Sequence, residues 1–184
     1  KLSLIELKHK SLLFTDSLNW FEKGRQSLAN LTDLEKPFYC LEISDYNANG
    51  LSGRWNRGIT SEDRFYNLVL SINSTKKQST EGQQSNIGSF GVGKMVFALC
   101  SNLRFMMYYS RFQPSDRTEN ISSRFMATGF FPEFYDEEED VAYSGHAYFG
   151  LASDDSNNRT KPYEDDEAHK AIEELGFKRR SQEE

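Results

Sequence analysis

The stretch NIGSFGVGKMVFALC, residues 86–100, runs from a glycine cluster through a lysine into an apolar segment. Gly88, Gly91 and Gly93 let a backbone approach a ligand closely, because no Cβ stands in the way. A helix opening directly behind them offers unpaired N–H groups and positive potential, which suits an anion such as a phosphate. Lys94 adds a cation at the same point. A second group lies upstream in LEISDYNANGLSG, residues 41–53, where Asp45 leaves an apolar run and enters an Asn- and Gly-rich turn that reaches Gly50. Taken alone, Asp45 reads as an ordinary turn or cap aspartate.

Two kinds of phosphate loop compete for residues 88–94. The spacing of Gly88, Gly93 and Lys94 is G-x-x-x-x-G-K, the pattern of a P-loop. Such a loop follows a buried strand, and its lysine is followed by a hydroxyl residue that holds Mg²⁺. Here the preceding residues are the polar KKQSTEGQQSN, and Met95 follows the lysine. Both requirements fail, so the P-loop is the least favoured reading.

The elements that must position these groups are visible as patterns. At 184 residues the chain suits one domain with a single core. Mean hydropathy is −0.70, but aromatics reach 14%, too many for a disordered chain. KLSLIEL (1–7) alternates as a strand. Leu12, Leu13, Leu18, Phe21, Leu28 and Leu31 recur at roughly helical spacing over residues 11–31. PFYCLEISD (37–45) reads as a buried central strand. TSEDRFYNLVLSI, from Thr60, opens with a Thr-x-x-Asp cap and puts Phe65, Leu68, Val69 and Ile72 on one helical face. A polar loop follows at 73–86, then a helix at 94–103. Strands are expected over 104–112, 123–131 and 145–153, and a last amphipathic helix should stop near Gly176. Helices come first and a strand-rich half second, which makes the class α+β with an antiparallel meander.

The charge balance excludes some partners. The net charge is −6, with an acidic run at 136–140 and no basic face, so direct nucleic-acid binding by this domain is not expected. No apolar run is long enough for a membrane span. Cys40 and Cys100 sit in apolar segments without a CxxC, as buried reduced thiols would, which points to a cytoplasmic location. His9, His146 and His169 show no metal-ligand spacing.

IGSFGVG directly before a helix resembles the I-G-x-F-G-V-G segment of the heat-shock chaperone ATPases. These belong to the gyrase, chaperone, histidine-kinase and MutL group, the GHKL or Bergerat-fold ATPases. The upstream ISDYNANGL resembles the same group's D-x-G-x-G turn, although the first glycine is replaced and the turn is longer. ISDYN…GL followed by a GSFG-x-GK loop is similar in style to bacterial ATP-binding proteins of this group, some of which act beside restriction or phage-defence nucleases. The likeness spans about residues 37–112.

The resemblance implies a Bergerat-type two-layer sandwich, a mixed or antiparallel sheet with helices on one face, occupying 1–184 as a single partial domain. It implies that Asp45 accepts a hydrogen bond from the adenine amino group beside Gly50. Gly88, Phe90, Gly91, Val92, Gly93 and Lys94 would line the triphosphate at the end of a flexible ATP lid contained within 52–93. SINSTKK (71–77) resembles the start of that lid. ATP with Mg²⁺ is the implied ligand, and lid closure would drive dimerisation or engagement of a partner protein. Two parts of the machinery are not matched. Asn19 and Glu22 have the wrong order and spacing for the helix that activates water and binds Mg²⁺, and no late threonine supports the adenine-binding aspartate. Both termini are therefore expected to be cut relative to a full ATPase, with the metal ligand outside this chain. The alternative is a nucleotide-sensing or protein-interaction domain that keeps the fold without catalysis.

Overall fold

The computed structural model describes residues 2–7, 38–56, 60–71, 92–101, 104–115, 118, 120–130, 133–152 and 160–178. The expected helices at 11–31 and the polar loop 73–86 lie outside them. The described elements are β1 (Leu2–Leu7), β2 (Phe38–Ile43), a π-helical turn (Tyr66–Leu70) and α1 (Val92–Cys100). There follow β3 (Phe105–Arg111), β4 (Ser123–Phe130), β5 (Phe134–Asp136), β6 (Val141–Tyr143), β7 (His146–Phe149) and β8 (Leu151–Ala152). The last are β9 (Thr160–Lys161), β10 (Tyr163–Glu164) and α2 (Asp165–Glu174). The fold is α+β, and every described strand pair is antiparallel.

β4 is the organising strand. From Ser123 to Gly129 it pairs with β3, with Phe105 opposite Gly129 and Arg111 opposite Ser123. Its other edge is shared: Arg124 and Phe125 pair with β10, and residues 127–130 pair with β7. Successive side chains of a strand point to opposite faces, so β4 contributes to two cores. Phe125 and Ala127 pack with Ala168, Ile172 and Leu175 of the α2 region. Met126 packs on the opposite face with Phe65 and Val69. Burial on both faces explains why SRFMATGF is nearly continuous in buried positions. Helical segments thus meet both faces of β4, whereas the resemblance places helices on one face only.

Local signals account for the ends of these elements. Asp63 accepts hydrogen bonds from Thr60 N (3.0 Å) and Thr60 Oγ1 (3.3 Å), closing the Thr-x-x-Asp start. α2 stops at Gly176, whose φ is +95°, and Phe177 N bonds back to the Ile172 carbonyl at 2.9 Å. That six-to-one bond, with Phe177 packed on the same core as Ile172, is the Schellman ending its sequence position implies.

Two expectations are corrected. β2 is not a buried central strand: among the described residues it pairs only with β1, and Tyr39, Leu41 and Ile43 are 61%, 59% and 52% exposed. These three share one face by the two-residue period, and an apolar composition does not reveal whether a second layer covers it. The thiols are free but not both buried. Cys40 is half-buried, with burial pushing its thiol pKa up, and Cys100 is exposed at the end of α1. Among the described residues no helix is long and apolar enough to cross a membrane.

Candidate functional site

Asp45 lies just past the carboxyl end of β2, exposed, at the entrance to a loop that runs to Asn56. The loop's shape depends on left-handed backbone at Asn47 (φ +58°), Gly50 (+66°) and Gly53 (+87°). Gly50 sits against the end of β3: a Cβ there would stand 2.1 Å from the Arg111 carbonyl oxygen. Beside it, Leu51 N donates to Ser110 Oγ at 2.8 Å. Only glycine satisfies both the φ and the approach.

The loop is tied at its far end as well. A Cβ on Gly53 would lie 2.3 Å from the Glu62 carbonyl oxygen. Arg54 N donates to Asp63 Oδ1 at 3.1 Å, so the buried Asp63 both caps the 60–63 turn and fixes the loop. The Gly53 carbonyl accepts from Nη1 of Arg124. Residues 52–56 and 60–71, which fall within the span 52–93 where a lid is expected, are therefore tied to one another and to β4, and residues 57–59 and 72–91 lie outside the described residues.

Of the expected phosphate residues, Gly88, Phe90 and Gly91 fall outside the described residues. Val92, Gly93 and Lys94 form the first turn of α1. Residues 101–104 connect α1 to β3, with Arg104 N bonded to the Ser101 carbonyl and Phe105 N to Ser101 Oγ. β3 thus has α1 entering at one end and the Gly50 turn docked at the other.

No family model, curated protein or solved structure matches this chain.

Sequence reasoning did not find a second polar cluster, where α2 begins. Asp165 Oδ1 accepts from Ser122 N (2.9 Å), Ser122 Oγ (2.8 Å) and Ser123 N (3.1 Å). Ser123 Oγ lies 3.1 Å from His169 Nε2. Burial pushes the Asp165 carboxyl up in pKa, but the hydrogen bonds from Ser122 and Ser123 outweigh it and hold the group below its ordinary value. A serine, a histidine and an aspartate in contact invite comparison with a catalytic triad. The aspartate here accepts from the serines, however, and Ser123 and His169 are 0% and 6% exposed. The cluster fastens the start of α2 to β4. Its one sequence signal is Asp165, four residues ahead of His169 on the same helix face.

Other surface features are separate from the Gly50 turn. An open depression of about 480 Å³ is lined by Glu133, Tyr135, Ala142, Tyr143 and Ser144 around the β5–β6 hairpin. No described cluster of three or more His, Cys, Asp or Glu residues could hold a metal ion.

Proposed function

We propose that this chain is the ATP-binding part of a GHKL-type ATPase with a Bergerat-type arrangement. Asp45 recognises the adenine amino group, and the glycine loop with the first turn of α1 receives the triphosphate. One observation carries this reading: both halves of the motif fall at element ends. The carboxylate stands just past a strand's carboxyl end, and Gly93 and Lys94 stand in the first turn of a helix. The strand end leaves the carboxylate exposed to a ligand, and the helix start supplies N–H donors to an anion.

Nucleotide binding is the part of the group's activity that these residues support. No residue of the sequence matches the glutamate base or the Mg²⁺ ligand of the group, so hydrolysis is not proposed. A bound nucleotide would bias the protein toward dimerisation or a partner by contacts made only in the loaded state. A second reading, a non-catalytic interaction domain, is favoured by exposed apolar side chains on β2 (Tyr39, Leu41, Ile43) and on α1 (Val96, Phe97, Leu99).

Titration of a non-hydrolysable ATP analogue into glycine and lysine variants separates these readings. Gly91→Ala and Gly93→Ala should weaken binding at least as much as Lys94→Ala, because close backbone approach matters most. Loss of binding in Lys94→Ala alone, with silent glycine variants, returns the loop to the P-loop class. Absence of nucleotide binding in the unaltered protein favours the interaction domain.

A further inference from the structure

Arg124 is a charged side chain in a place where charge is rare. It sits mid-core on β4, 2% exposed, on the face opposite α2. Its Nε meets Glu164 Oε1 of β10 at 2.9 Å. Its guanidinium carbon lies 5.6 Å from the Phe65 ring centroid and 5.4 Å from that of Phe112. The remaining reach of the fork goes to the Gly53 carbonyl, across 71 positions of sequence. Each neighbour has a distinct role. Glu164 balances the charge, the two rings accept the cation's faces, and the carbonyl is the one partner that belongs to the loop carrying Asp45 and Gly50.

Burying a cation is unfavourable unless every donor is satisfied, so this arrangement persists only while the Gly53 carbonyl stays in place. The dependence is mutual. Gly53 itself admits no side chain against Glu62, and Arg54 N is held by Asp63, so the loop has little freedom to retreat. We propose that Arg124 is the positioning residue of the 50–54 loop, holding the adenine side of the candidate site in register with the sheet. The nucleotide half of this statement rests on the function proposed above; the loop half does not.

Hydrogen exchange on Arg124→Lys separates the two halves. Lysine keeps the charge but cannot reach Glu164 and the Gly53 carbonyl with one planar fork. The amides of Leu51, Arg54 and Phe65, bonded to Ser110, Asp63 and the Ser52 carbonyl, report the loop position. They should exchange about tenfold faster, the scale of one lost charge-assisted hydrogen bond. The amides of Leu175 and Phe177, at the far end of α2, should hold their rates. Affinity for the ATP analogue should fall by about the same factor. Should Arg124→Lys fail to fold, Glu164→Ala, which removes the partner of Nε from the less buried side of the pair, should give the same loop-selective acceleration. Unchanged loop exchange, or equal acceleration at the loop and the α2 end, overturns the clasp. Loop acceleration with unaltered nucleotide affinity overturns its positioning role at the site. If the unaltered protein binds no nucleotide, the function proposed above fails, and the exchange rates alone decide the clasp.

Discussion

Gly50 is the position where two backbone constraints coincide. Any L side chain there must adopt a φ of +66° and meet the Arg111 carbonyl oxygen. Gly50→Ala should therefore destabilise the protein by more than about 2 kcal/mol, above the usual penalty for a strained backbone alone. Urea unfolding measures it, and a loss under about 0.5 kcal/mol, the range of unremarkable surface changes, would show that the loop does not sit as described. Asp165 offers the complementary case, where charge can be removed without touching the backbone. Its φ is +46°, a conformation asparagine also tolerates. With its pKa held down in the folded state, Asp165 contributes stability that is present above the ordinary carboxylate pKa of about 4 and lost as pH falls through the lower folded value. Asp165→Asn should cost about 1 kcal/mol at pH 7, after discounting for partial exposure, and the gap should close below about pH 4. A gap that is constant with pH would place the effect in shape rather than charge.

At the scale of elements, α2 is held by a narrow apolar stripe. Ala168, Ile172 and Leu175 recur at helical spacing and meet Phe125 and Ala127 of β4. Ile172→Ala should cost about 2–4 kcal/mol, the usual range for a cavity under a packed helix, and the urea midpoint should fall in proportion. A loss near zero would mean that the helix is not docked on β4. This stripe was legible in the sequence, as were the cap at Thr60 and the stop at Gly176, because each is a local pattern that the backbone must satisfy within a few residues. β3, β4 and β7 were legible for the same reason. What was not legible was long-range. Nothing in PFYCLEISD says whether a second layer covers Tyr39, Leu41 and Ile43, and nothing in SRFMATGF says that Arg124 would find Glu164 and Gly53. An arginine inside an otherwise buried run is the one clue, since such a charge must have partners. The Asp45–Gly50 turn was legible as a turn, but its docking on Ser110 and Arg111 depends on β3, whose place the local pattern does not fix.

Among the described residues, β4 carries one core on each face, and the Gly50 turn is clamped to the end of its neighbour β3. That design keeps Asp45 outside both cores, exposed, on a loop whose anchors are elsewhere. A side chain placed so contributes little to stability, and adenine recognition is the role proposed for it above. The most direct test is calorimetric titration of an ATP analogue, with Mg²⁺ present, into the protein and into Asp45→Asn. The unaltered protein should bind saturably, and GTP should compete poorly, because a carboxylate acceptor suits the adenine amino group and opposes the guanine carbonyl. Asp45→Asn should unfold at the same urea concentration yet bind more weakly by about 1.5–3 kcal/mol, the worth of a hydrogen bond to a charged group. Equal ATP affinity in the two proteins, or equal affinity for ATP and GTP, would contradict the assignment of this loop as an adenine-nucleotide site.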